Sequence, residues 1–153
     1  MGACRRRPDD SKGQGLVEFA LVLPIIVLSI FAILDMGRAV YAFSTISNSA
    51  RAGARVAIVD QTIATIQQSA VSQSVALGAS AADVVVCFKS GTSTQQTCSQ
   101  PATDPCPNPY LIGCLAIVTM NHQFTPVTPI ISSIVPSIAM SSTTRMSIER
   151  VNP

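Results

Sequence analysis

From Phe19 to Leu34 no side chain is ionisable and only Ser29 is polar. Extending this run back over Glu18 to Leu16 gives a segment, 16–34, close to the roughly 20 residues that cross a bilayer as a helix. Beyond it, Asp35 to Val59 contains no proline, and Val40, Phe43 and Ile46, then Val56 and Val59, recur at three-residue spacing, so the helix is expected to continue outward. A continuous helix from Gly15 to Val59 would be a rod of about 65 to 70 Å. Pro24 removes a backbone donor within it and predicts a kink. Gly37, Ala39, Ala42, Ala50, Gly53 and Ala54 punctuate the outer half and would let a helix or a sheet approach closely.

A second helix is predicted over Thr62 to Leu77, where Ile63, Ile66, Ala70, Val71 and Leu77 can share a face against Gln and Ser, with Gly78 as its stop. The pattern then changes to β-branched or alternating runs at Asp83 to Phe88, Leu115 to Phe124 and Ile138 to Ile148, which predict three strands. Between the last two, PVTPIISSIVPS carries three prolines and reads as a short helix or turn. The stretch from Ser90 to Pro109, rich in Ser, Thr, Gln and Pro, is the least regular. The expected class is α+β: a long N-terminal transmembrane helix continuing into a soluble part with a second helix and a small antiparallel sheet.

Composition agrees with a chain partly outside water. Hydrophobic residues make up 48% and charged residues 12%, against roughly 25% charged in an average soluble domain. The net charge of +2 argues against a nucleic-acid partner. Charge matters instead for topology. Arg5, Arg6, Arg7 and Lys12 precede the span, whereas the mixed pair Asp35 and Arg38 follows it, so the N-terminus is expected in the cytoplasm and the rest exported. A cleaved secretory signal is the competing reading, with a cut near Val40 to Ala42. MGAC does not start a myristoylation pattern, because Arg6 stands where Ser or Thr is needed. The resulting division is a basic leader at 1–13, the transmembrane and extended helix at 14–59, and an exported head at 60–153 with a stapled loop at 87–114.

Four cysteines, Cys87, Cys98, Cys106 and Cys114, bracket the irregular loop, and Cys4 lies in the leader. No C-x-x-C pair occurs, so zinc and thioredoxin-like chemistry fit poorly, and two disulfides in an oxidising compartment fit better. All three pairings are open on sequence. Nesting Cys87 with Cys114 and Cys98 with Cys106 would tie the loop into a stem. His122 is the sole histidine, in a strand pattern, and the exported acids Asp35, Asp60, Asp83, Asp104 and Glu149 form no motif. Phosphate-loop, H-E-x-x-H and G-x-S-x-G patterns are absent, so neither an enzyme, a cofactor, a metal nor a small-molecule substrate is expected.

Glu18 is the residue that most needs a use, since a carboxylate at the centre of a membrane helix costs about 2.5 kcal/mol or more on insertion scales. GQGLVEFALVLP, from Gly13, resembles the processing site of Tad-type type IV pilins. With DMGR at 35–38, NSARAGAR at 48–55 and FTPVTP before the last strand, the chain is similar to the TadE-like family. The resemblance implies a minor pilin or pseudopilin in the bacterial inner or cytoplasmic membrane. Prepilin peptidase would cut between Gly13 and Gln14, and Glu18, beside Phe19, would dock other pilin subunits through a neighbour's N-terminal amine. The Tad assembly machinery would be a further partner. Asp35 and Arg38 would form a solvated pair on the helix surface just outside the membrane. The alternative is an unprocessed, signal-anchored surface protein whose head is a binding module.

Overall fold

The computed structural model describes residues 11–91, 98, 106 and 113–149. The leader up to residue 10, most of the 90–109 loop, and residues 110–112 and 150–153 lie outside the described residues. Helix α1 spans Ser11–Ala57 and runs unbroken through Pro24. Helix α2 spans Ile63–Ser72, and the strands are β1, Val84–Lys89, and β2, Leu115–Phe124. A short helix α3, Pro129–Ile134, and strand β3, Ile138–Ser147, complete the order. The result is mixed α+β, with a long N-terminal apolar helix, a further helix and a three-stranded antiparallel sheet in the order β1-β2-β3.

The outer half of α1 is held to the head by one stripe. Ala42, Ile46, Ser49, Ala50, Gly53, Ala54 and Ala57 are buried at the three- and four-residue spacing that keeps side chains on one helix face. Small residues on this stripe bring the backbone close to α2 and β2: a Cβ on Gly53 would meet Val118 Cγ1 at 3.1 Å, Ala70 Cβ at 3.2 Å and the Ile66 carbonyl at 3.3 Å. Gly37, nearer the membrane-length segment, has nothing within 4 Å of that position. The small residues noted in the sequence therefore divide into a packing set and an open set.

Helix α2 lays Ile66 and Ala70 on α1 and ends earlier than its apolar pattern suggests. Ser74 is fully buried, and its hydroxyl lies 3.3 Å from the carbonyls of both Ala70 and Val71. Ser49 of α1 donates to the same Ala70 carbonyl and lies 3.1 Å from Ser74 Oγ. Serines that bond nearby carbonyls offer the backbone an alternative to the helix ladder. The chain there tightens into a 3-10 turn, Val75–Leu77, closed by Gly78 at φ +68°, a left-handed conformation that glycine adopts without penalty.

Ala116, Val118 and Met120 of β2, with Val84 of β1 and Ile148 just past β3, join Ile46, Ala50, Ala54, Ala57, Ile66 and Ala70 in one core. The opposite sheet face carries Cys87, paired in register with Ile117, which in turn pairs with Arg145. The disulfides are Cys87–Cys98 and Cys106–Cys114. This corrects the nested pairing, and the strand alternation gives the reason. Cys87 points to the face away from the helices, whereas Cys114 has the parity of Ala116 and belongs to the core. Cys98 Sγ lies 3.6 Å from the Ile117 carbonyl, over that far face. The Cys106 amide donates to the Phe88 carbonyl, so the second staple is tied to β1.

Candidate functional site: a membrane-length helix and its junction with the head

Across 16–34, α1 is apolar apart from Glu18 and Ser29, and among the described residues nothing buries it. Leu16, Phe19, Leu21, Ile25, Ile30 and Ile33 are each at least half exposed, and the most apolar 18-residue window has no buried residue. A helix that is hydrophobic all round belongs either in a large core or in a membrane. The head offers it no core, and about 19 residues at 1.5 Å each give ~28 Å, close to the ~30 Å hydrocarbon thickness. The helix is thus long and apolar enough to cross a membrane.

Gly13, Gln14, Glu18 and Phe19 all lie near the start of this helix. A Cβ added at Gly13 would meet nothing within 4 Å, and Phe19 is 62% exposed. Gln14 Nε2 donates to Glu18 Oε1 at 3.4 Å, one turn apart. Among the residues whose side chains are described, no cation pairs with Glu18.

Asp35 and Arg38 are about 26 Å up the helix axis from Glu18 and form a separate centre. Arg38 Nη1 donates to Asp35 Oδ1 at 3.3 Å. The expectation of a solvated surface contact is corrected on the acid's side: Asp35 is only 7% exposed. Its carboxylate accepts the Val127 amide at 3.1 Å, the Thr128 amide at 3.0 Å and the Thr128 hydroxyl at 2.5 Å. The side-chain bond from Thr128, then the two amides, hold the carboxyl below its ordinary value near 3.8, with Arg38 adding a smaller pull in the same direction. Asp35 thus ties the middle of α1, just past the membrane-length segment, to the residues that enter α3. The Arg38 guanidinium is also placed over the Phe124 ring, with Cζ 5.6 Å from its centroid.

Val127 and Thr128 escaped the sequence reading because 92 and 93 positions separate them from Asp35. The available signal was FTPVTP, which contains both. The four head cysteines form staples far from either centre. Among the described residues, no three His, Cys, Asp or Glu side chains converge as metal ligands would.

Residues 13–55 match the family model described as TadE-like protein. That segment holds Gly13, Gln14, Glu18, Phe19, Asp35 and Arg38, and stops two residues before α1 ends. No curated protein matches the chain, and no solved structure does.

Proposed function

We propose that this chain, which carries a TadE-like N-terminal segment, is a minor pilin or pseudopilin of a Tad-type pilus, an assembly protein without catalytic activity. α1 crosses the inner or cytoplasmic membrane once, with the basic leader in the cytoplasm and the head exported. Prepilin peptidase cuts after Gly13, which leaves Gln14 as the new N-terminus and Glu18 as the fifth residue of the mature chain. The observation that carries this reading is Glu18 itself: an acid near the edge of an otherwise apolar helix, with no cationic partner among the residues whose side chains are described. An unpaired charge in lipid is retained only where something uses it. A neighbouring subunit's freed amine would convert it into an ion pair as the helices come together during assembly.

Replacing Glu18 with Ala tests this in the native host. The chain should insert in the membrane at wild-type levels and be absent from sheared pili or from co-purified pilin complexes. Normal incorporation of Glu18→Ala would contradict the docking role. Such a result would favour an anchored surface protein that acts through its head.

A further inference from the structure

We propose that the pocket where α1 leaves the membrane is a binding site for the phosphate of an anionic phospholipid headgroup. The pocket has a volume of about 400 Å³ and is walled by Arg38 and Tyr41 of α1, Leu77 of the turn after α2, and His122, Phe124 and Thr125 at the end of β2. Three separate chain segments therefore build one concavity, and its polar side chains are the Arg38 guanidinium, the Tyr41 phenol, the His122 imidazole, the Gln123 amide and the Thr125 hydroxyl. These groups can donate to an anion, and none of them is a carboxylate.

Position selects the ligand. Taking Leu34 as the last residue of the span, Arg38 follows by about 6 Å and Tyr41 by about 10 Å along the axis. The polar headgroup layer on each side of the hydrocarbon is roughly 5 to 8 Å deep. Side chains on a helix lean toward its N-terminus, which here is the membrane side. Arg38 does so, since its Nη1 reaches back one turn to Asp35. Tyr41, 58% exposed, stands just beyond that layer on the same helix, and a side chain leaning toward the N-terminus brings an amphipathic ring back toward the headgroups.

The guanidinium is fixed without being used up. Asp35 takes one of its five donors and the Phe124 ring supports its face, yet the Arg38 side chain remains 52% exposed. Asp35 meanwhile divides its charge among Val127 and Thr128 as well. A planar, pre-oriented guanidinium with donors left over suits phosphate better than a flexible ammonium would. The exposed Arg51 and Arg55 provide an internal contrast: Arg51 lies about 20 Å further along the axis than Arg38, beyond the reach of a headgroup.

The inference rests on the span assignment and not on processing or pilus entry. Its test is native mass spectrometry of the full chain in detergent, titrated with phosphatidylglycerol and, separately, with inorganic phosphate. One saturable phosphatidylglycerol adduct per chain is expected. Retention should fall about tenfold in Arg38→Gln and several-fold in His122→Gln and Tyr41→Phe, and stay at the wild-type level in Arg51→Gln. Protection of the Thr128 amide in each variant reports whether the head remains docked, and His122→Gln and Tyr41→Phe leave the Asp35 contacts untouched.

Equal retention in wild type and the three pocket variants would overturn the proposal. Loss in Arg51→Gln to the same degree would also overturn it, because binding would then follow bulk charge. Tight binding of inorganic phosphate without a lipid adduct would assign the pocket to a soluble ligand instead. Flotation of the chain with liposomes runs alongside: failure to float would refute the span, whereas flotation without an adduct would refute the site alone.

Discussion

Gly53 and Gly37 lie on one helix sixteen residues apart, and substituting each with leucine separates packing from helix propensity. Glycine within a helix is about 0.8 to 1 kcal/mol worse than a good helix former, so either replacement gains roughly that amount from the backbone. At Gly37 nothing lies within 4 Å of the new Cβ, and the gain is kept. At Gly53 the same atom would sit 3.1 Å from Val118 Cγ1 and 3.2 Å from Ala70 Cβ, against an ordinary carbon contact of about 3.5 to 4.0 Å. Val118, Ala70 and Ile66 are fully buried, so none can swing away. Three further carbons must then be accommodated, and overpacking costs about 1 to 3 kcal/mol or more.

Taking the upper part of that range against the propensity gain leaves a net loss of about 2 kcal/mol for Gly53→Leu. For a head of roughly 100 residues this lowers the melting temperature by about 8 to 16 °C. Gly53→Ala, with one added carbon, should come out near zero. Scanning calorimetry of the full chain in detergent measures all three. A Gly53→Leu melt within ~2 °C of wild type would refute the packing of α1 on α2 and β2. An equal fall in Gly37→Leu would show that glycine serves the helix itself and not its contact.

Three further outcomes follow from the same geometry. Digestion of the unreduced, denatured chain with trypsin and Asp-N should release 83–89 (DVVVCFK) linked to 90–103, with Cys106 and Cys114 closed within one peptide; any peptide joining Cys87 to Cys114 would contradict the staples. Cys87→Ser with Cys98→Ser should cost about 2.5 to 3 kcal/mol by loop-closure entropy, and the double change Cys106→Ser with Cys114→Ser about the same, read as lowered melting temperatures. Because Asp35 is depressed below its ordinary value near 3.8, its contribution is complete above that pH and is lost as pH falls through the depressed value. Hydrogen exchange at Val127 and Thr128 should therefore quicken selectively below pH ~3.8 in the wild type, while Asp35→Asn should exchange fast at every pH; an Asp35→Asn chain with wild-type protection would show that the carboxylate does not hold this junction.

How much was legible in the sequence depended on the range of the interaction. The long helix and the strands are written locally, as apolar composition and as β-branched runs, and the strand ends fall within a residue of expectation. The second helix was read through to Leu77 because its apolar spacing continues. Its true end is set by Ser74, whose partner Ser49 lies 25 positions away. The cysteine pairing was hidden for a related reason: spacing says nothing about which sheet face a residue takes, and Cys87 and Cys114 take opposite ones. At the candidate site the glycine, the acid and the D-x-G-R pair were visible as a pattern. That Asp35 is a buried anchor for Val127 and Thr128 was not, since only the folded chain brings those residues together.

Intact-mass spectrometry of the protein taken from its native membranes, with and without reductant, bears most directly on the assembly reading. A chain that begins at Gln14 and gains four hydrogens on reduction, two for each of its two bridges, is the predicted result. A chain that keeps residues 1–13 would contradict processing and leave an anchored surface protein. A chain starting near residue 43 would mean that the apolar helix is discarded on export, and that neither Glu18 nor Asp35 acts in the mature protein.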